Sequence, residues 1–598
     1  MSEPPNSISP EDEQQALGQI VDKIGSDKPD LAEAIRLCAV PHWFNREILG
    51  WLRGEGDEPS ARTESILEDL KSQKLAFGRR DNLFLHDNVR NLLLHRWRQE
   101  DPGRFQVLNG RVAAYYEAKL QQPVAIQEQG RDPGISARAE WEREEMCHLL
   151  VADRERGLER FKSLCNGAIE SFRVSTLELL INIANEQPDD LSSEIRLWIQ
   201  FFEGKKHRLS GDWETAIRVW QTLSVERAAF TSDLEQTWAI NLAILHKDMG
   251  EWSRAIECLE ESLKVLEGKG DERCLITILN NQGYLYKDRE HWQTAEADFQ
   301  RAVAISRKVG DERGLAVSLK NLGLLHKDNM KWDDALEHIG SSLAIFERIG
   351  DERGVARTCD DRGLLYKDRG LLHKDGEDLK KAEEDFQRAI ETLDGVDDEL
   401  GRAAAFNSLG LLYKDRGLLY RDTADLQQAE DSFRRARKIL ETMGDQRRVA
   451  DIFNYLGFLH TAEMQWHDAE AHFQRALTNF GQALTIMNEM RDERGTAVTL
   501  NNMGLLYLRK GEQQQAADYF QRSLDIVEKV GDELNAATTM YELALLYDAM
   551  REYPRAIELL EKVSKIAERA GHPDARIRKS REKLAMVKAR ETSGESAT

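Results

Sequence analysis

Apolar side chains recur at three- and four-residue spacing through most of this chain, in paired segments split by short polar breaks. The stretch from Asp311 to Gly350 shows the pattern whole. Leu315, Leu319, Leu322, Leu325 and His326 mark one amphipathic helix, and a break follows at Asn329 and Met330. Trp332, Ala335, Leu336, Ile339, Leu343 and Phe346 mark a second. Gly310 is placed to close the preceding helix in the left-handed conformation, and Asp311 to cap the next. Gly323 and Ala335 are small where the two helices would cross.

The unit returns. Asp-Glu-Arg after a glycine begins at 271, 311 and 351, in steps of 40 residues. Self-similarity at a fixed period means stacked supersecondary units, none able to bury its apolar face alone. From Asp351 to Asp398, Asp445 and Asp492 each step is 47 residues, and the excess of seven is local duplication. Arg362–Asp368 is followed by the near-copy Arg369–Asp375, and Leu409–Asp415 by Arg416–Asp422. Phe473–Asn479 is echoed by Phe480–Ile486 in a second helix. Seven residues turn a helix face by only ~20° and add roughly 10 Å of helix. Elongated helices projecting from the middle of the array are therefore expected, with a loop or short turn before Asp378 or Asp422 as the competing reading.

Gly283, Tyr286, Trp292, Ala295, Phe299 and Ala302, and again Gly504, Tyr507, Ala516 and Phe520, resemble the tetratricopeptide repeat. The 40-residue period is similar to the long repeats of kinesin light chains. The resemblance spans residues 193–570 in about nine units and implies an all-α, right-handed superhelical solenoid. In that family the first helix of each unit lines a concave groove. The positions two and three before the repeated glycine carry over as Asn241, Asn280, Asn281, Asn321, Asn407, Asn454, Asn501 and Asn502. Amides both donate and accept, which suits a bound peptide backbone. The position after the glycine is apolar, as at Tyr284, Leu324 and Phe458. Lys287 and Lys327, each followed by aspartate, belong either to the groove or to salt-bridged helix ends.

Ahead of the array, helices are expected over Leu31–Val40, Asn45–Arg53 and Ala61–Lys74, then strands at Leu75–Phe77 and Leu83–Leu85. Three helices and a β-hairpin make a winged helix. With Leu85-His86-Asp87 opening the next helix, this stretch resembles the winged-helix module of STAND-class signalling ATPases. There the histidine senses nucleotide phosphates. No GxxxxGK[ST] loop exists in the chain, so His86 is expected to act as a helix cap. Arg79 and Arg80 in the wing, followed by Arg90, His95 and Arg96, could touch DNA phosphates. The expected organisation is a helical segment at 1–30, where Ser9-Pro10-Glu11-Asp12 is a helix start, then a winged helix at 31–105. A helical connector follows at 106–192 with a linker at Pro123–Pro133. The solenoid occupies 193–570, and a capping helix with a disordered tail 571–598.

Composition narrows the function. A net charge of −23 disfavours nonspecific nucleic-acid binding. The six cysteines are scattered without a CxxC pair, which points to reduced thiols and no metal site. No run of 18 or more apolar residues offers a membrane span, and the polar N-terminus lacks a signal-peptide pattern. HExxH and GxSxG motifs are absent, and His246, His326, His373 and His460 replace tyrosine in the repeat register as packing residues. The expectation is a non-enzymatic cytoplasmic scaffold or sensor without cofactor, binding a protein or peptide in STAND-like bacterial signalling or conflict regulation. The alternative is a DNA-associated regulator with the solenoid as its sensor.

Overall fold

The computed structural model describes residues 19–592 apart from short stretches, of which 123–136 and 571–579 are the longest. The chain divides into two units, Met1–Leu209 and Ser210–Thr598. In the first, α1 (Pro29–Cys38), α2 (Arg46–Arg53) and α3 (Ala61–Ser72) precede an antiparallel hairpin of β1 (Ala76–Arg79) and β2 (Asn82–Leu85). Asn45 starts α2 by accepting a hydrogen bond from the Ile48 N–H, as an N-cap does. The hairpin pairs Ala76 with Leu85 and Arg79 with Asn82. Phe44, in the α1–α2 connection, bridges to Leu83 through two backbone bonds of 2.9 and 2.8 Å, so the hairpin is tied to the helices.

Helices α4 (Asp87–Glu100), α5 (Pro102–Leu120), α6 (Ala137–Ala152), α7 (Arg154–Glu170), α8 (Val174–Asn185) and α9 (Ser193–Leu209) complete this unit. The boundary expected at 105 falls inside α5. That helix packs Phe105, Leu108, Val112 and Tyr116 into the same core as Phe44, Ile48 and Leu70, with Trp141 and Val151 of α6 in the same cluster. His86 occupies the N-cap place of α4 but makes no capping hydrogen bond; its ring is exposed, 5.1 Å from Phe77. Arg90 turns inward, its Nε closed off from solvent. Arg80, Ser9–Asp12 and Pro123–Pro133 lie outside the described residues, and Arg79 is described only by its backbone.

The second unit opens with α10 (Trp213–Ser224) and continues as helical hairpins whose arms are here called A and B. They are α11 (Ser232–Asp248) with α12 (Trp252–Lys269), α13 (Glu272–Asp288) with α14 (Trp292–Val309), and α15 (Glu312–Asp328) with α16 (Trp332–Ile349). Next come α17 (Glu352–His373) with α18 (Gly376–Asp394), and α19 (Glu399–Tyr420) with α20 (Thr423–Met443). α21 (Gln446–Glu463) with α22 (Ala469–Glu489), α23 (Glu493–Lys510) with α24 (Gln513–Val530), and α25 (Glu533–Ala549) with α26 (Tyr553–Ala570) complete the pairs. A last helix, α27 (Ser580–Thr592), covers the final pair with Val587, and its Lys583 and Arg590 both bind Asp548.

The glycine–aspartate phrase is the stop and start of these helices. Gly270, Gly310 and Gly350 are left-handed C-caps. Asp271, Asp311 and Asp351 then accept from the N–H three residues on. Within a pair, the glycine of arm A receives a large side chain of arm B. A Cβ at Gly410 would lie 2.7 Å from the Phe433 ring, and one at Gly504 2.6 Å from Phe520. Gly323 meets Ile339 in the same way.

The seven-residue duplications are helical. The A arms α17 and α19 have 22 residues against 17 in α13 and α15, and the B arms α18 and α20 have 19 and 21 against 18 in α14 and α16. The expectation that one helix takes all seven residues is corrected. Both arms lengthen, because an antiparallel hairpin can only gain a packed layer if its closing turn moves outward on both sides. The copied Arg-Gly makes that layer. Arg362 pairs with Asp385 and Gly363 meets Phe386; seven residues on, Arg369 pairs with Asp378 and Gly370 meets Leu379. Arg416 and Asp425 repeat the pairing at 2.7 Å. His373 falls in the added turn and is exposed, unlike buried His246, His326 and His460, because no B-arm layer covers it there.

Candidate partner-binding face

Successive A arms lie side by side, and three rows of side chains run across them. The first joins the place three before the repeated glycine to the place two before it in the next A arm. Asn321 Nδ2 donates to Asn280 Oδ1 at 2.8 Å, and Tyr284 Oη donates to Asn321 Oδ1 at 2.7 Å. Lys320 meets Asp361 at 2.8 Å in the same row, and Asn502 reaches Asn454 Oδ1 at 3.4 Å. Asn280 also donates to Ser318 Oγ, and Asn454 to Thr499 Oγ1.

Asn280, Asn321 and Asn454 are thus buried between helices, with their amides turned toward neighbouring repeats. Asn241 and Asn281 donate to carbonyls of their own helices, from Thr237 and Thr277. Asn407 and Asn501 are half-buried, and the Oδ1 of each is shielded and accepts no hydrogen bond. The next A arms carry Tyr455 and Glu542 at the facing place, neither of which brings an amide.

This difference makes a prediction. Asn321→Leu leaves Asn280 Oδ1 and Tyr284 Oη without partners and should cost about 1–3 kcal/mol. Asn407→Leu removes an acceptor that has no partner and should fall between neutral and about 1 kcal/mol stabilising. Urea midpoints of the two variants would check it.

The second row is the lysine–aspartate phrase, and it reaches across repeats. Lys247 binds Asp288 at 2.5 Å, Lys287 binds Asp328 at 2.8 Å and Lys327 binds Asp368 at 2.8 Å. Lys367 continues to Asp415 at 3.5 Å, across the wider spacing of the lengthened pairs. Each rung contributes at most about 1 kcal/mol at such a part-exposed place. What the row adds is a fixed offset between neighbouring A arms.

The third row is apolar and only partly covered. Tyr284, Leu324, Leu364, Leu411 and Leu505 are half-buried, and Phe458 is 37% exposed with Lys414 over its ring. Val498, on the arm after Phe458, is 39% exposed and was not singled out in the sequence. Its signal was available: an apolar residue at a place where most A arms carry Thr, Arg or Asp.

Comparison with known proteins identifies the repeats. Residues 233–308, 274–348, 448–529 and 495–569 match the family model for the tetratricopeptide repeat. The unmatched stretch between them holds the first two lengthened pairs. No curated protein sequence matches the chain. Among solved structures, BtubC from P. vanneervenii is 23% identical with a TM-score of 0.31, over 40% of this chain and 92% of that one. A STAND protein with a tetratricopeptide repeat sensor from Pyrococcus horikoshii is 12% identical with a TM-score of 0.43, over 89% and 67%. A Rap protein complexed with competence and sporulation factor is 14% identical with a TM-score of 0.41, over 70% and 100%. Among the described residues, no helix is long and apolar enough to cross a membrane.

Proposed function

This chain carries tetratricopeptide repeats over residues 233–348 and 448–569, and from that premise we propose that it is a non-enzymatic scaffold or sensor that holds a peptide segment of a protein partner on its A-arm face. The observation that carries the reading is the apolar row. Six successive A arms place an apolar side chain at one register place, half-buried in five of them and exposed at Phe458, framed on one side by the lysine–aspartate rungs. An apolar row with a polar border is what a helical or extended peptide with spaced anchors fits. The buried asparagines fix the spacing of that row, while Asn281, Asn407, Asn501 and Asn502, less buried, are the amides nearest to a bound backbone.

The signalling context, STAND-like and bacterial, rests on the element order of the first unit and on the Leu85-His86-Asp87 phrase; a cytoplasmic location goes with it. The DNA-associated alternative is weakened by Arg90, which faces the interior of its own unit. The test is affinity capture from the native host followed by calorimetry with the captured partner. Leu324→Glu and Phe458→Glu should each weaken binding by about tenfold or more, as expected for anchors at the centre of an interface. Ile349→Glu, at an exposed place on a B arm, should leave it unchanged. Equal binding by all three variants would refute the assignment of the face.

A further inference from the structure

Two groups of imidazoles and carboxylates lie close enough to share one ion among the described residues, and one of them has the electronic arrangement of a ligand set. His42 comes from the connection between α1 and α2, and Glu144 and His148 stand one turn apart on α6. Their ligand atoms all lie within 4.8 Å of one another. Ligand atoms of a tetrahedral zinc-class ion are about 3.3 Å apart when each is about 2.0 Å from the metal. Glu144 Oε2 is 2.9 Å from His42 Nδ1 and 3.7 Å from His148 Nε2, on either side of that value.

The state of His148 can be read from its neighbours. Asn109 donates through Nδ2 to the Phe105 carbonyl at 2.9 Å, which fixes its Oδ1 as the atom facing His148 Nδ1 at 2.8 Å. An amide oxygen only accepts, so His148 Nδ1 carries a proton, and in the neutral ring Nε2 is the nitrogen left to bind a metal. That Nε2 is fully buried, makes no hydrogen bond and points at the Glu144 side chain. A histidine oriented by a donor bond from its far nitrogen, its near nitrogen unused beside a carboxylate and a second imidazole, has the form of a metal ligand with its supporting shell.

We propose that His42, Glu144 and His148 bind one zinc-class divalent transition-metal ion, which ties the α1–α2 connection to α6. Two imidazoles and one carboxylate select such an ion over magnesium or calcium, which take oxygen ligands. Water would complete the coordination.

The test uses the full chain, stripped with a chelator and titrated with Co(II), whose visible absorption reports a tetrahedral nitrogen–oxygen site. One equivalent should bind and be displaced by Zn(II). His42→Asn should abolish the signal; because His42 is partly exposed, this variant keeps the test alive should His148→Asn fail to fold. Asn109→Ala should weaken Zn(II) by about 10–100-fold, as the loss of an orienting partner does. His472→Asn, in the second group with His460 and Glu463, should leave the signal intact. Absence of Co(II) binding, or binding kept in His42→Asn and lost in His472→Asn, would overturn the proposal.

Discussion

Phe433→Ala should lower the stability of the Ser210–Thr598 unit by about 3–5 kcal/mol, the range for removing a fully buried aromatic ring. The ring is 0% exposed and sits in the notch left by Gly410, against Leu409, Leu412 and Leu426, with Tyr455 stacked 5.6 Å away. Neither helix of the pair can close the void. Gly410 has no side chain to move into it, and the bidentate Arg416–Asp425 pair and the copied Gly417–Leu426 contact hold the arms apart at the next layer. Phe433→Ile should cost much less, because Gly323 accepts Ile339 at the same place in a regular pair. Stability in repeat arrays is a sum of local and nearest-neighbour terms. The loss should therefore appear in hydrogen exchange as lost protection in α19 to α21, with α13 to α15 unaffected.

Asp360→Asn should stabilise the fold at pH 8 and have no effect near pH 4. Asp360 stands at the register place held by asparagine at 280, 407, 454 and 501. Burial, and then the neighbouring Asp361 charge, push its pKa from 3.8 up to about 7, while a Ser408 hydrogen bond, Lys320 and Lys367 pull the other way. Its Oδ1 is closed off from solvent and accepts no hydrogen bond. An acid whose folded pKa is raised keeps a proton that the unfolded chain has already released. The folded state is therefore favoured below the unfolded pKa of 3.8 and loses stability as pH rises toward about 7. A shift of that size corresponds to about 2–4 kcal/mol once the partial exposure of the side chain is allowed for. Thermal melts of wild type and Asp360→Asn from pH 4 to pH 8 should diverge steadily up to about pH 7 and run parallel above it. A constant offset across the range would show that the carboxyl does not titrate there.

The fold was legible where one helix carries its own instructions. The 40-residue step, the glycine–aspartate stop and start, and the small Gly323 where two helices cross are all written locally, and each appears where the spacing placed it. The duplications were legible as helix, since seven residues preserve a face. Their division between two arms was not, because it depends on which residues meet across a hairpin: Arg369 with Asp378, not with a neighbour on its own helix. The same holds for the A-arm face. The asparagines were visible, but Asn280 and Asn321 bind each other across a repeat boundary, a register that intra-helix periodicity does not carry. A hint existed in Lys320 and Asp361, opposite charges at those two places in consecutive units. His42, Glu144 and His148 left no such hint, since the chain brings them together from about a hundred positions apart through the core of α5 and α6.

The claim that a partner lies along the A arms is tested most directly by photo-crosslinking from single sites in the full chain. A benzophenone side chain placed at Leu324 or Phe458 should crosslink to the captured partner, and one placed at Ile349 should not. Crosslinks from Ile349 with none from Leu324 and Phe458 would contradict the account.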